Sequence, residues 1–389
     1  MIERIHIKNF KSIYDLEIDV GRVNLIIGEN GSGKSNLLES LAFVSASNSN
    51  KLDNEFLVSR GLRVTKPNLM RSSFEENSQM KNININIKYN SELKEYNFTN
   101  KNENYSNWER LYPMNIPNNK EKNEILQDYL KHKDEEKIDL YLEKTDSEKL
   151  KELSNIFENL IKVSIDDTID FINFIIYSPE NTALRTFEKE GQIQPLGING
   201  EGLLKLLKVV NDYEDKSYIN TIIESLQLFD WFEDIKIPDS LSSGEDKIII
   251  KDKYLYQEID QRSTNEGFLF ILFYITLIVA KETPKIFAID NIDASLNPKL
   301  CTKLMTIITK LAHKYDKQIF LTTHNPAVLD GMDLNDEEQK LFVVSRNKSG
   351  HTRMKNITVD NKPKSSNNEP LKLSEAFLRG YLGGLPKGF

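Results

Sequence analysis

Apolar and polar residues alternate near the start of the chain. Residues 2–8 carry isoleucines separated by polar residues, and Leu16, Ile18 and Val20 repeat the two-residue period. A period of two is typical of half-buried strands, so we expect a hairpin-like strand pair over residues 2–20. The apolar run that follows, Val23 to Ile27, is typical of a strand buried on both faces.

The middle of the chain changes character twice. Residues 45–79 are polar and irregular, after which Ile83, Ile85 and Ile87 recur at period two and predict part of an antiparallel β subdomain. Residues 103–165 are charged and rich in asparagine, with apolar residues at near-helical spacings, which indicates a short helical insertion. The segment contains no long run of heptads, so we do not expect an extended coiled-coil arm.

Strands and helices alternate in the second half of the chain. Residues 246–259 show period two. We predict further strands at Phe171 to Tyr177, Ile286 to Ile289 and Ile319 to Thr322, and helices at Phe268 to Lys281 and Pro298 to Tyr315. This order predicts an α/β fold with a mixed, mostly parallel sheet flanked by helices. The longest apolar run, Phe268 to Ala280, is too short for a membrane span.

A glycine-rich loop connects the run Val23 to Ile27 to a helical pattern from Asn36. Its glycines let backbone N–H groups point at phosphates, the lysine reaches the β and γ oxygens, and the last serine suits a Mg²⁺ ligand. The chain is therefore predicted to bind ATP with Mg²⁺. The predicted nucleotide-binding residues are Gly28, Asn30, Gly31, Ser32, Gly33, Lys34, Ser35 and Asn36.

Two polar residues follow later apolar strands. Asp290 ends the run Ile286 to Ile289, and we expect it, with Ser35, on the metal side of the nucleotide. His324 ends the run Ile319 to Thr322, where it could sense the γ-phosphate or the attacking water.

Charge and cysteine content narrow the class of protein. The 59 acidic and 51 basic residues give a net charge of −8, so any DNA contact must be local. The one cysteine, Cys301, excludes an internal disulfide framework, and no signal-like leader precedes the first strand. We expect a cytoplasmic protein without a membrane anchor.

The motifs together resemble those of a known group. Asn9-Phe10-Lys11-Ser12, the Asp290 strand, Leu296-Asn297-Pro298 and the turn at His324 are similar to the ABC-type ATPase heads of the RecF, SMC and OLD (overcoming lysogenization defect) group. The resemblance implies a homodimer with ATP held between the P-loop of one subunit and the signature motif of the other. Residues 50–240 match only in general layout.

This resemblance divides the chain into four parts. We expect the N-terminal half of an ATPase head at residues 1–102, the helical insertion at 103–165, the C-terminal half of the head at 166–350, and a linker with a docking tail at 351–389.

Two segments are candidates for the signature motif, which needs a small polar residue and a glycine at a helix N-terminus. Residues 241–245 read Leu-Ser-Ser-Gly-Glu, but a strand-like segment follows them. Residues 263–267 lead directly into the apolar helix, and we favour them, with Asn265 and Gly267 as the nucleotide-facing residues. The loop that carries a glutamine in such heads is not evident, and Glu180 and Asn181 are the candidates for it.

The residue after Asp290 departs from the family pattern. The resemblance implies a glutamate as general base, whereas this chain has Asn291, whose amide cannot accept a proton at neutral pH. Asp293 aligns with a second acidic position of OLD-like heads and could polarise water instead. We therefore expect slow hydrolysis of ATP, with Asp293, His324 and Asn291 at the catalytic position.

The resemblance implies a regulator in prokaryotic antiviral defence that acts on a separate nuclease or toxin. Only 65 residues follow His324, too few for a fused nuclease domain. A tail with Leu373, Phe377 and Tyr381 on one helix face either docks the effector or packs on its own head.

Two other functions remain open. One is a RecF-like DNA clamp that uses the acid-free stretch with Arg60, Arg63, Lys66 and Arg71. The other is an ATP-bound scaffold without turnover.

Overall fold

The structure of the protein is a computed structural model. It describes residues 1–75, 78, 80–103, 106–111, 171, 173–186, 196–238, 247–364 and 371–385. One compact unit comprises Met1–Arg110 with Phe171–Phe389, and Leu111–Asp170 forms a second unit that lies, beyond Leu111, outside the described residues. The insertion predicted at 103–165 falls largely in that second unit, and the candidate signature at residues 241–245 is also outside the described residues.

Strands occur throughout the described parts of the chain. In chain order they are β1 (Ile2–Phe10), β2 (Ile13–Asp19), β3 (Val23–Gly28), β4 (Ile83–Tyr89), β5 (Glu92–Thr99), β6 (Glu109–Leu111), β7 (Ile176–Tyr177), β8 (Phe232–Lys236), β9 (Ile249–Asp252), β10 (Ile259–Asp260), β11 (Ile286–Ile289), β12 (Gln318–Thr323), β13 (Gln339–Arg346) and β14 (Thr352–Ile357).

Helices connect and cover the strands. In chain order they are α1 (Lys34–Asn48), α2 (Asn54–Ser59), α3 (Pro67–Met70), the 3₁₀ helix Ala183–Arg185, α4 (Leu203–Asn211), α5 (Ser217–Leu226), α6 (Glu266–Val279), α7 (Pro298–Lys314), the 3₁₀ helix Pro326–Gly331 and α8 (Leu373–Leu378). None of the helices in the described parts combines the length and the apolar character that a membrane crossing needs.

A six-stranded sheet forms the centre of the unit, in the order β14-β13-β3-β12-β11-β7. The strands from β13 to β7 pair in parallel, whereas β14 pairs antiparallel with β13. The carboxyl ends of β3, β11 and β12 therefore share one edge, where ligands of open α/β sheets bind. The predicted α/β fold with a mixed sheet is confirmed.

Both faces of this sheet are covered. Leu25 and Ile27 of β3 pack into one core with α6, and Ile26 between them packs into a second core with α1. Every residue of β3 is buried, which is why its sequence is mostly apolar and does not alternate.

Two smaller sheets flank the centre. The order β2-β1-β4-β5-β6 defines a five-stranded sheet whose first four strands pair antiparallel, which is the predicted β subdomain. The order β10-β9-β8 defines a three-stranded antiparallel sheet that precedes α6 in the chain.

Several predicted elements need correction. The strand predicted at Phe171 to Tyr177 is limited to Ile176–Tyr177, because Phe174 is held by packing on Phe320 and by donation from its N–H to Ser45 Oγ at 3.0 Å. The region 45–79, predicted to be irregular, includes the end of α1 and the short helices α2 and α3.

The tail helix is shorter than predicted. It ends at Leu378, so Tyr381 lies beyond it and is 52% exposed, whereas Leu373 and Phe377 are buried in the core that contains α6. Ser374 fixes the first turn by donating its backbone N–H and its hydroxyl to the Asp330 carboxylate at 3.0 and 2.6 Å. Leu373 and Phe377 thus pack on their own head.

Candidate functional site

The P-loop runs from the end of β3 to the start of α1. Gly31 and Gly33 have φ angles of 74° and 110°, which favour glycine. A Cβ atom on Gly33 would lie 2.2 Å from Thr352 Oγ1, so the loop has no room for a side chain there. Gly33 is also the N-cap of α1 and makes no side-chain cap, which leaves the first N–H groups of the helix for an anion.

A chain of hydrogen bonds holds the loop from behind. Asn36 Nδ2 donates to Ser12 Oγ at 2.6 Å, and Ser12 Oγ lies 2.7 Å from Thr352 Oγ1, which donates to the Ser32 carbonyl at 2.9 Å. Arg346 Nε donates to the Gly31 carbonyl at 2.8 Å. Sequence reasoning missed Thr352 and Arg346, because more than 300 residues separate them from the loop that they hold.

Lys34 is the buried cation of the site. Its Nζ donates to the carbonyls of Gly28 and Glu29 at 2.8 and 3.0 Å. Burial lowers the pKa of Lys34 to about 8, and the nearby carboxylates of Asp290, Glu29 and Asp293 oppose this shift. Asn30 and Gly31 are exposed at the tip of the loop.

Ser35 and Asp290 come together from α1 and from the end of β11. Ser35 Oγ donates to Asp290 Oδ2 at 3.4 Å, and the Thr322 hydroxyl donates to the other oxygen of Asp290. One carboxylate and one hydroxyl suit Mg²⁺, which takes few protein ligands and completes its shell with water and phosphate oxygens. β11 is not adjacent to the P-loop strand β3, because β12 lies between them.

Asn291 begins the turn after Asp290. Its φ of 58° lies in the left-handed region, which asparagine tolerates better than most residues. Its N–H donates to Thr322 Oγ1 at 2.9 Å, and its side chain is exposed at the edge of the sheet.

Asp293 and His324 lie side by side at the same edge. Asp293 Oδ1 accepts hydrogen bonds from Thr323 Oγ1 at 2.6 Å and from the backbone N–H of His324 at 3.3 Å. Partial burial and the Lys34 charge lower the pKa of His324, against the opposite effects of Asp293 and Asp290. The imidazole is therefore neutral at pH 7, and it can accept or donate a hydrogen bond.

The favoured signature segment forms a capped helix start. Asn265 is the N-cap of α6, and its Oδ1 accepts from the N–H of Phe268 at 2.8 Å. A Cβ atom on Gly267 would lie 3.1 Å from the Ser295 carbonyl oxygen, so α6 approaches the segment that follows Asp293 closely. Among the described residues, we find no hydrogen bond between this turn and the P-loop of the same chain.

Comparison with protein families identifies the chain. Residues 23–330 match the family described as "AAA domain, putative AbiEii toxin, Type IV TA system". The chain belongs to this AAA_21 family. The match extends from β3 through the 3₁₀ helix after His324 and so includes both halves of the site. No curated protein matches the chain.

Solved structures with a similar fold are heads of SMC proteins. An SMC head bound to the C-winged helix domain of ScpA is 14% identical, with a TM-score of 0.55 over 92% of this chain and 98% of that one. Two further SMC heads have lower TM-scores: that of Thermotoga maritima (14% identical, TM-score 0.45, 92% of this chain and 99% of that one) and one bound to ScpA from Pyrococcus furiosus (14%, 0.49, 92% and 96%). The first likeness shows the fold alone. The AAA_21 chain has the fold of an ABC/SMC-like P-loop ATPase head.

In this AAA_21 chain, the loop after β7 is hydrogen-bonded to the turn before the candidate signature segment. Asn181 Oδ1 accepts from Arg185 Nε at 2.9 Å, and Arg185 Nη1 donates to the carbonyls of Gln261 and Arg262 at 3.0 and 2.7 Å. Glu180 donates its N–H to the Asn199 carbonyl at 3.0 Å. Asn181 is thus bonded, through Arg185, to the turn that precedes α6.

Arg71, one residue of the predicted basic stretch, is not available to DNA. Its guanidinium donates to the carbonyls of Lys81 and Asn100, both at 2.9 Å, and lies 4.8 Å from the centre of the Trp108 ring. Arg71 is 2% exposed, so the expectation that it contacts phosphates is wrong.

Arg63 lies beside the nucleotide site. Its Nε donates at 2.6 Å to the buried Glu39 carboxylate, which also pairs with Lys11. Against the effect of burial, the Glu39 carboxylate and then the Asp290 carboxylate raise the pKa of Arg63. Lys66 is exposed, and Arg60 is partly buried against the Phe56 ring.

Proposed function

We propose that this chain binds Mg-ATP at the P-loop, closes as a homodimer around the triphosphate, hydrolyses it slowly, and regulates a separate effector protein in antiphage defence. The observation that carries the nucleotide chemistry is the convergence of Lys34, Ser35, Asp290, Asp293 and His324 at one edge of the sheet. One helix, α1, and the segments that follow two strands, β11 and β12, supply these groups, and threonine hydroxyls orient both aspartates.

Each side chain has a role that its position allows. Lys34 exchanges its two carbonyl bonds for phosphate oxygens, and the first N–H groups of α1 bind the same anion. Ser35 and Asp290 would hold Mg²⁺, which neutralises negative charge on the phosphoryl oxygens when it is bound. Asp293 orients the attacking water, and the neutral His324 bonds to the γ-phosphate.

Slow turnover follows from the residue next to Asp290. Asn291 has no basic site for a proton, and general-base catalysis contributes roughly 10²–10⁴-fold to rates. Asp293 Oδ1 already accepts two hydrogen bonds, so that oxygen has little remaining capacity to accept one from an attacking water.

Dimerisation is supported by the separation of the two nucleotide-binding elements. Asn265 and Gly267 begin a long buried helix, and the α6 N-terminus makes no hydrogen bond to its own P-loop in the described part of the chain. A second copy would bring these residues to the triphosphate, as the ABC-type resemblance implies. The family description, which names a toxin and a Type IV TA system, supports a role among toxin–antitoxin and defence proteins.

The test compares the wild type with Lys34→Ala. We expect Mg-ATP to shift the wild type from monomer to dimer in size-exclusion chromatography, and phosphate release well below about 10 per second, a median turnover for enzymes. Lys34→Ala should show neither effect. Turnover of tens per second, or a wild type that ignores Mg-ATP, would contradict the proposal. Co-purification with products of adjacent genes, with and without ATP, tests the effector.

An ATP-bound scaffold without turnover is the second candidate, and Asn291 is the observation that favours it. Purified protein would then retain intact ATP and release no phosphate over hours. A DNA clamp has less support, because Arg71 is buried and Arg63 pairs with Glu39.

A further inference from the structure

Tyr274, in the middle of α6, carries a buried hydroxyl group without a partner. Its side chain is 0% exposed, and its Oη makes no hydrogen bond to any described residue. Buried tyrosine hydroxyls normally find a partner, because an unpaired polar group in the core destabilises the fold. Phenylalanine would fill the same space without that penalty, so the hydroxyl needs an explanation.

The helical geometry places this hydroxyl on the side of the nucleotide site. Tyr274 follows Gly267 by seven residues, which is close to two helical turns, so both lie on one face of α6. Gly267 faces the Ser295 carbonyl at close range. The face that carries Tyr274 is therefore turned toward the segment between β11 and α7.

Asp293 is the acceptor available in that segment. Its Oδ1 accepts hydrogen bonds from Thr323 Oγ1 and from the N–H of His324. Among the described residues, we find no donor to its Oδ2. After burial itself, the charges of Asp293 and Cys301 are the causes that raise the pKa of the Tyr274 phenol. Cys301 in turn accepts from Asn325 Nδ2 at 3.6 Å, in the turn that follows His324.

We propose that Tyr274 is a positioning residue whose hydroxyl donates a hydrogen bond to Oδ2 of Asp293 when the nucleotide-bound dimer closes. This inference rests on the proposed function. The N-terminus of α6 carries Asn265 and Gly267, which face the partner's triphosphate in the proposed dimer. A small movement of α6 toward that triphosphate carries Tyr274 along the Asp293 carboxylate, because a packed helix moves as a unit.

The new hydrogen bond would couple the two halves of the site. With Thr323 and His324 on one oxygen and Tyr274 on the other, the Asp293 carboxylate has a fixed plane. His324, whose N–H is bonded to Asp293, is then held in the position that binds the γ-phosphate. Engagement of the signature segment by one nucleotide thus reports to the histidine of the same chain.

The test is a set of variants measured with the Mg²⁺ complex of a non-hydrolysable ATP analogue, so that the readout does not depend on turnover. The variants are Tyr274→Phe, Asp293→Asn, their combination, and Thr276→Val as control. Thr276 also carries a buried hydroxyl without a partner in the described structure, two residues along the same helix. Each protein is followed by thermal unfolding and by analogue titration.

We expect free Tyr274→Phe to melt at or above the wild-type temperature, because it loses an unpaired hydroxyl. Its apparent affinity for the analogue should fall about tenfold, the equivalent of a hydrogen bond to a charged group. Tyr274→Phe should have no further effect in the Asp293→Asn background, since both changes remove the same interaction. Thr276→Val should bind as the wild type does.

Three results would overturn the inference: a lower melting temperature of free Tyr274→Phe, which would show that the hydroxyl is already paired; unchanged affinity in Tyr274→Phe; or an equal loss with and without Asp293. A wild type that the analogue neither binds nor stabilises would instead overturn the proposed function itself. The two failures are therefore distinguishable.

Discussion

The Thr352 hydroxyl donates a hydrogen bond of 2.9 Å to the Ser32 carbonyl in the centre of the P-loop, although 320 residues separate the two positions. Thr352 starts β14, the antiparallel edge strand of the central sheet, and it is 2% exposed. Ser12, in the turn between β1 and β2 of the five-stranded sheet, is hydrogen-bonded to the same Thr352 hydroxyl. The shape of the loop therefore depends on two sheets and on both ends of the chain.

Replacement of Thr352 should weaken nucleotide binding and lower the stability of a protein that still folds. Thr352→Val keeps the side-chain shape but removes the hydroxyl that donates to the Ser32 carbonyl and the acceptor of the Ser12 hydroxyl. We expect a loss of about 1–3 kcal/mol in unfolding free energy, typical of an unsatisfied buried group. ATP affinity should fall several-fold in a calorimetric titration.

Thr358→Val is the matched control, since residue 358 directly follows the same strand and, within the described part of the chain, makes no hydrogen bond to the P-loop. Equal ATP affinity in Thr352→Val and Thr358→Val would show that the P-loop keeps its shape without this hydrogen bond.

Restoring a carboxylate after Asp290 should accelerate hydrolysis. Asn291→Glu places a general base beside the metal-side aspartate, and we expect phosphate release to rise by roughly 10²-fold. The residue has a φ of 58°, so glutamate should lower the stability by about 1 kcal/mol. Steady-state phosphate release and thermal unfolding measure the two effects.

Asn291→Asp is the control, because it adds the same charge on a side chain that is one methylene shorter than glutamate. Aspartate also tolerates the left-handed backbone conformation at this position. If Asn291→Glu releases phosphate no faster than the wild type, the missing base is not what limits turnover.

The sequence predicts the parts of the site that local pattern determines. The P-loop has a fixed spacing of glycines, lysine and serine, and β3 and α6 consist mostly of apolar residues, so their burial is evident from composition. Asp290 and His324 are found by their position after apolar strands. Asn265 is found because an N-cap residue stands directly before a buried helix.

The remaining features depend on contacts between distant residues. Arg71 lies in a stretch without acidic residues, which suggests a basic surface. Its partners are backbone carbonyls and the ring of Trp108, and such uncharged partners cannot be recognised from the charge pattern of the sequence. The order of the central strands, with β12 between β3 and β11, also follows from pairing and not from pattern. The roles of Thr322 and Thr323 appear only once their hydroxyls are seen to bond to Asp290 and Asp293.

Removal of the buried Glu39 charge should strongly lower the stability of the fold. Glu39 is 1% exposed and pairs with both Lys11 and Arg63. Burial lowers the pKa of Lys11 and the Glu39 charge opposes that shift, so removal of the carboxylate leaves the partly buried ammonium group without its acidic partner. Glu39→Gln should lose about 3–5 kcal/mol of unfolding free energy, measured by urea denaturation.

Two further variants sharpen this measurement. Lys11→Met in the Glu39→Gln background should recover part of the loss, since it removes the uncompensated charge. Glu17→Gln, which removes an exposed partner of Arg4, should cause no measurable change. A small effect of Glu39→Gln, equal to that of Glu17→Gln, would contradict the proposed importance of the buried pair.

Binding of ATP should take up a proton above pH 8. The pKa of Lys34 in the free protein is about 8, and the negative triphosphate raises it in the complex. Between these two values the complex holds more protons than the free protein, so the ATP affinity falls as the pH rises through that window. Below pH 8 the lysine is charged in both forms, and it contributes no pH dependence.

Calorimetry in buffers of different ionisation enthalpy measures this uptake directly. We expect it near pH 9 in the wild type and not in Lys34→Ala, where residual binding should be independent of pH in this range. His324→Gln provides the second control: the pKa of His324 is lowered from 6.5 in the free protein, so any uptake that it contributes belongs to acidic pH. Uptake near pH 9 that persists in Lys34→Ala would assign the proton to another group and would remove the lysine from contact with the phosphates.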